Sequence, residues 1–390
     1  MSTMADLELR AAAERELLAL KDEYLQGLYS ARGFLEERYD RGLAWLWAPV
    51  GRGGRGLLGR DQRDVENGLW GAGCPDPRLM NLMGYAAVGP AIIEHGSTDQ
   101  ADRWLQRLFS GADIWCQMFS EPSAGSDLSA ITTTAKRSEG GWLLSGLKTW
   151  SSGADKADWG LVLANAGEAG LTAFAVDMHD SRVITTPIRQ MTGAYGFCEV
   201  TLAEVFVADD QLVGRLGGGF RVLLTATGAE RQVFCDRAGW DVALLLEEWR
   251  SLGAADASAS LRQEIVKVWS EDRLQGISVS NGVKATSRSL QGAEGALLGK
   301  LRQTRLNQRV GELRAAVAGA GAMLISAGGY ETADGARLQR DEGPTAALIA
   351  SRGDTIAGGG TEVLLNMVGE RLLGLPGENK GGARAVKRSS

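Results

Sequence analysis

Histidine is nearly absent from this chain of 390 residues, with only His95 and His179. Neither a histidine-built metal centre nor a Ser-His-Asp nucleophile is expected from so small a supply, and no metal ligands are assigned. Cysteine is sparse too: Cys74, Cys116, Cys198 and Cys235 stand without paired spacing. That pattern fits buried free thiols in a reducing compartment better than disulfides or zinc, and the cytoplasm is the expected location. Positive charge is in deficit, 42 Lys and Arg against 48 Asp and Glu, for a net charge of −6 and a pI near 5.3. Apart from a short basic stretch from Lys380 to Lys387 there is no cationic stripe, so nucleic acid is not the expected partner. No run of eighteen apolar residues suggests a membrane span. The first eight residues, Met1 to Glu8, lack the positive start and apolar core of a secretory signal.

What the chain does have is enough length for two or three layers of core, with a hydrophobic content of 44%. From Ala5 to Tyr39 apolar residues such as Leu17, Leu20, Tyr24 and Leu28 recur at helical spacing among charges. Further helical patterns follow over Arg63–Trp70, Leu79–His95 and Asp99–Phe109, predicting a helical domain over 1–114. Gly51 to Gly56 is glycine-rich, yet it lacks the Lys-Ser/Thr end of a phosphate loop and is read as a plain loop. After Ile114 the period falls to two. Ile131–Arg137 with Gly141–Lys148, and Trp159–Asn165 with Leu171–Asp177, predict hairpins. Arg182–Ile188, Phe197–Leu202 and Glu204–Val207 add strands to a β domain over 115–218, a small antiparallel barrel or paired sheets. Helical periodicity returns over Phe220–Arg250, Leu261–Leu274, Ala293–Met323 and Val363–Leu373, predicting an antiparallel bundle over 219–378 with a disordered tail at 379–390.

One stretch organises the rest: Trp115-Cys-Gln-Met-Phe-Ser-Glu-Pro-Ser-Ala-Gly-Ser126, continuing into Asp127. Pro122, Gly125 and the small serines predict a tight turn whose amides converge on one point, an anion cradle suited to a phosphate. Gln117 to Ser120 would lie beside a flat, amphipathic ring. The run Ser120 to Asp127 resembles the first signature of the acyl-CoA dehydrogenase family. Gly146 to Ala154 is similar to the segment that follows it. Ile356 to Val363, with Gly369 to Pro376, resembles the C-terminal flavin loop and last helix of actinobacterial-type members. The resemblance runs from about residue 30 to about residue 376.

The resemblance implies an α+β multi-domain fold with an N-terminal helical domain, a central antiparallel β domain and a C-terminal four-helix bundle. It implies FAD as cofactor, because no side chain can accept the hydride lost from the β carbon. The implied reaction is desaturation of an acyl-CoA to a trans-2-enoyl thioester, with electrons passed to an electron-transferring flavoprotein. Many members carry the general base in the C-terminal loop, where this chain has Gly358. Others carry it in a Glu-Arg pair on the first helix of the last domain, and Gly219 to Arg231 matches that arrangement without a gap. The resemblance therefore assigns the base to Glu230 and a substrate-side role to Arg231. By the same carry-over, Gln117, Phe119 and Ser120 line the flavin. Gly125 and Ser126 serve its pyrophosphate, with Ser126 also toward substrate; Trp150 and Ser152 cover the ring edge, and Thr361 and Glu362 make the C-terminal contacts. Three departures stand out: Gly360 replaces a usual threonine, only Arg250-Ser-Leu-Gly remains of an Arg-x-x-Phe-Gly motif, with Arg250 or Arg262 as substitutes, and Gly343 to Gly353 lacks an Arg-Asp pair. They keep other readings open: a non-catalytic or half-site subunit of a heteromeric acyl-CoA dehydrogenase, or a same-fold flavoenzyme such as a monooxygenase or one acting on carrier-protein thioesters; the resemblance implies a homo-oligomer or a heterotetramer with a second such chain.

Overall fold

Residues 4–57, 60–236, 240–251, 258–285, 292–323 and 343–377 are described by a computed structural model; the expected tail at 379–390 lies outside them. Helices α1 (Met4–Leu25), α2 (Ala31–Asp40), α3 (Arg60–Gly71), α4 (Pro77–Met80), α5 (Gly89–His95) and α6 (Thr98–Ser110) open the chain. Local chemistry sets their ends. The Ser30 hydroxyl accepts from the Gly33 amide at the start of α2, and Ser97 and Gln100 close a capping box on α6. The glycine-rich stretch at 51–56 is turn and loop, and a single π-helical turn over Gly84–Val88 leads into α5.

The middle of the chain is one twisted sheet of β1 (Trp115–Met118), β2 (Thr134–Ser138), β3 (Gly141–Ser152), β4 (Trp159–Asn165), β5 (Leu171–Asp177), β6 (Val183–Ile188), β7 (Phe197–Ala208) and β8 (Leu212–Val213). Among the described residues its order is β6-β7-β3-β2-β4-β5-β8, with β1 added beside β4. Both predicted hairpins form. The pairing is mostly antiparallel, but β1 and a single register of β2 run parallel to β4. The two runs read separately as Phe197–Leu202 and Glu204–Val207 are one strand. Glu204 takes a left-handed φ of 57° at a bulge opposite Leu144 and Ser145, which breaks the alternation on which the sequence reading relied.

Strands β4 and β5 are buried on both faces, which explains their near-continuous apolar runs. Leu161, Leu163, Ala173 and Ala175 join the helical core with Phe34, Trp45 and Phe109. Their neighbours Val162, Phe174 and Val176 join a second core with Cys116, Met118 and Val200. The last part contains α7 (Gly219–Asp236), α8 (Trp240–Ser251), α9 (Ala259–Ala285), α10 (Gly292–Ala318), α11 (Gly343–Asp354) and α12 (Thr361–Met367). Helix α10 packs against α7, α8, α9 and α11, around a core that includes Leu245, Ile265, Val268, Leu306 and Val310. No helix among the described residues is long and apolar enough to cross a membrane.

Candidate active site

Strand β1 points its odd residues one way and its even residues the other. Trp115 and Phe119 enter the helical core, while Cys116 and Met118 enter the β core. Gln117 lies between the first pair and so faces the helices. Helix α7 presents its buried stripe Val222, Leu223 and Ala226 to the same region, against α5 and the π-helical turn. Four residues after Ala226 the stripe reaches Glu230, so the carboxylate is turned inward rather than out to solvent. The Gln117 Nε2 donates to Glu230 Oε2 across 3.4 Å. Burial raises the Glu230 pKa; the Gln117 amide and the charges of Lys300 and Arg231 pull against that rise. Protein surrounds the carboxylate densely, yet the residue as a whole keeps partial solvent access.

The segment from Thr355 to Gly360 passes directly beneath it. A side chain added at Gly358 would place its Cβ 3.7 Å from the Glu230 carboxyl carbon and 3.8 Å from Lys300 Nζ. Thus Glu230 and Gly358, the two positions the sequence resemblance offers for a general base, meet in space. Gly358 and Gly359 both have positive φ, 64° and 108°, values that a residue with a Cβ adopts only at a cost of about 1–2 kcal/mol. The Arg231 Nε donates to the Gly358 carbonyl at 2.7 Å, and burial lowers the pKa of its guanidinium.

Other candidates fall around this centre. Ser126 Oγ and Glu362 Oε2 lie 3.7 and 3.9 Å from the position a Cβ would take at Gly360, so the first signature and the C-terminal loop face each other there. Thr361 spends its hydroxyl hydrogen within its own turn, donating to the Thr355 carbonyl at 3.3 Å. Phe119 is buried, and Ser120, next in the chain, accepts at its carbonyl from the Thr149 amide (3.0 Å). At Gly125 the backbone has no positive φ and an added Cβ would meet open space, so neither a turn nor packing within the chain requires that glycine. Trp150 does not lie in the core, as a tryptophan in a strand commonly does. It occupies a bulge between Lys148 and Ser151, with φ 57°, and its ring is 57% exposed and edge-on to Phe197. Strain of this kind concentrates at functional sites. Ser152 follows it, paired with Phe197. Arg250 and Arg262 are exposed, at the end of α8 and the start of α9.

Two features escaped the sequence reading. Glu121, within the first signature, is 3% exposed and its carboxylate accepts from Lys148 Nζ (2.8 Å), the Thr132 amide and hydroxyl, and the Thr133 amide. Lys148 belongs to the second matched segment, so one buried ion pair and the Thr149–Ser120 bond fasten the two motifs together. The Glu121 carboxyl falls to about 2 because these hydrogen bonds outweigh its burial, while burial takes Lys148 down to about 8. A carboxylate whose pKa drops on folding stabilises the fold above its unfolded value near 4.5 and loses that contribution as pH falls toward 2. The expected loss is on the order of 3 kcal/mol across that window, and a Glu121→Gln variant should show a flatter dependence of urea midpoint on pH over it. The other feature is Asp354, at the end of α11, which accepts from the Asn307 amide on α10 (2.9 Å) and anchors the start of the Thr355–Gly360 segment. In the sequence it stands in an Arg352-Gly-Asp354 run, just past Gly353.

Residues 116–206 match the family model described as acyl-CoA dehydrogenase, middle domain. Acyl-CoA dehydrogenase FadE34 of Mycobacterium tuberculosis is 32% identical over 380 residues, covering 94% of this chain; the chain spans 48% of the length of FadE34. Acyl-CoA dehydrogenase IpdE1 of Mycolicibacterium smegmatis is 30% identical, with 87% of each chain covered. Among solved structures, the steroid ACAD Tcur3481-Tcur3483 superposes with a TM-score of 0.73 at 21% identity, covering 94% of this chain and 98% of that one. The ChsE4-ChsE5 complex of Mycobacterium tuberculosis gives 0.70 at 23% identity, with 96% and 99% covered.

Proposed function

This chain belongs to the acyl-CoA dehydrogenase family, and from that premise we propose that it desaturates an acyl-CoA thioester with FAD as cofactor and Glu230 as general base. The observation that carries the reading is the convergence of Glu230 and Gly358 on one point, with the Glu230 carboxylate turned inward and its pKa raised by burial. A raised pKa makes the carboxylate a stronger base than an exposed glutamate, suited to a weakly acidic carbon. Gln117 holds Oε2, so Oε1, facing the gap above Gly358, takes the α proton.

The residues around the centre fit a flavin. Gln117 Oε1 and Ser151 Oγ are buried and meet no hydrogen-bond partner among the described residues, and buried polar atoms of this kind are commonly completed by a ligand. Trp150 offers an exposed aromatic face, and Gly125 leaves room for close approach to its backbone. Gln117, Ser120, Trp150 and Ser152 would hold the ring, Gly125 and Ser126 the pyrophosphate, and Thr361 and Glu362 the C-terminal side. When bound, the flavin supplies the acceptor for the β hydride, which no side chain can replace. The electron acceptor such a site would serve is an electron-transferring flavoprotein. The thioester carbonyl is polarised by backbone amides, an oxyanion-hole device.

Titration of the purified protein with a panel of acyl-CoAs under anaerobic conditions tests this reading. Bleaching of a flavin band is expected with at least one of them. A flavin-containing protein that no acyl-CoA bleaches would overturn it. A second reading, a subunit that shares its flavin site with a related chain, is favoured by the lost Arg-x-x-Phe-Gly motif and by the solved ChsE4-ChsE5 complex. A colourless chain that turns yellow only when purified with such a partner would select it.

A further inference from the structure

Lys300 lies on α10, 2% exposed, on a helix otherwise devoted to packing the bundle. Burying a lysine is costly unless its ammonium is well bonded. Here the Nζ donates to the carbonyl of Ala357 and to that of Gly359, the latter at 2.5 Å. Arg231 on α7 takes the carbonyl between them. Two cations from two helices, Lys300 buried and Arg231 partly buried, therefore hold three successive carbonyl oxygens of the segment under Glu230.

Because each peptide unit is planar and trans, its N–H points opposite to its C=O. Fixing the Ala357 oxygen toward Lys300 aims the Gly358 N–H away from the ammonium, and fixing the Gly359 oxygen does the same for the Gly360 N–H. With glycines at 358–360, the segment has little conformational preference of its own and would sample other arrangements without such a clamp. The start of the segment is tied to the same helix, since Asn307, two turns along α10, donates to Asp354.

We propose that Lys300 is a positioning residue for the active site: it fixes the backbone of residues 357–360 beneath Glu230 and keeps a buried positive charge beside that carboxylate. The proposal rests on Glu230 being the base. The groups facing the carboxylate are Gln117 from β1, Lys300 from α10 and Arg231 from its own helix, with Arg371 acting on Arg231 from beyond α12. Of the two cations acting on Glu230, only Lys300 comes from a separate helix, and its removal leaves the α7 sequence intact.

The test compares Lys300→Met and Lys300→Gln in the full chain by two measurements. Hydrogen exchange of the peptide spanning 355–361 reports on the clamp, and the ¹³C carboxyl titration of Glu230, assigned from the signal missing in Glu230→Gln, reports on the charge. In Lys300→Met, exchange is expected to quicken by at least about tenfold. The Glu230 carboxyl is expected to titrate about one pH unit higher in both variants. Should Lys300→Met fail to fold, Lys300→Gln decides through the carboxyl alone. Wild-type values in the variants that fold would overturn the proposal. Full activity in Glu230→Gln would instead remove the base assignment, leaving the exchange measurement to judge the clamp.

Discussion

Glu230→Gln is expected to lower kcat/KM on any acyl-CoA substrate by roughly three orders of magnitude, while the flavin spectrum and melting temperature stay within error of the parent. Glutamine keeps the volume and can still meet Gln117, so packing of α7 is preserved and only the capacity to take a proton is lost. In the parent, kcat/KM should rise with pH through a value above the ordinary glutamate range, because burial outweighs the Lys300 and Arg231 charges. That limb should vanish in the variant. Geometry also provides a rescue. A Cβ at Gly358 lies 3.7 Å from the native carboxyl carbon, so Gly358→Glu combined with Glu230→Gln brings a carboxylate in beside the native position. Recovery of about tenfold over the single variant is expected, limited by the left-handed backbone at 358, which a glutamate tolerates poorly. Activity in Glu230→Gln near that of the parent would end the assignment. Absence of recovery in the double variant would mean that the two positions are neighbours but the direction of approach is not shared.

Lys148→Met is expected to be the most destabilising single substitution near the site. It strips a buried carboxylate of its charge partner while three hydrogen bonds to Thr132 and Thr133 remain. Breaking such a pair from one side costs about 3–5 kcal/mol, a fall in melting temperature of roughly 5 °C for a chain of this size. Cofactor retention should suffer as well, because Glu121 is the first residue after Ser120 and fixes the path of the loop toward Ser126. The companion double variant, Glu121→Gln with Lys148→Met, should recover part of the lost stability, since no uncompensated charge is then buried. Equal melting temperatures for parent and Lys148→Met would show that the pair contributes nothing net.

Much of this was legible in the sequence because period and local chemistry carried it. The switch from helical to alternating spacing at Ile114 marks where α6 gives way to β1, and the two hairpins follow from alternation around short turns. What failed to show is instructive in each case. The bulge at Glu204 split one strand into two, because a bulge shifts phase within an otherwise regular pattern. The tight turn expected around Pro122 and Gly125 forms between Glu121 and Ala124, but Gly125 has no positive φ and open space around it, so the turn does not draw on that glycine's freedom. Helix α11 carries few large apolar residues and gave little periodic signal. The Glu121–Lys148 pair and the Lys300 clamp were invisible for a different reason: each joins positions distant in the chain, and a charged side chain in a sequence is by default a surface one.

The hairpin of β2 and β3 leads from one matched motif back to the other, and its turn at Glu139 and Gly140 is exposed at the far end of the ladder from Ser145. The two motifs are thus neighbours by contact and only incidentally by sequence. The length of the excursion between them is free to vary at its tip, by insertion, deletion or even a cut chain, without altering how Glu121 meets Lys148. Their spacing is an inheritance of the sheet's shape, whereas the handshake at its base is what selection on the flavin pocket would have to preserve.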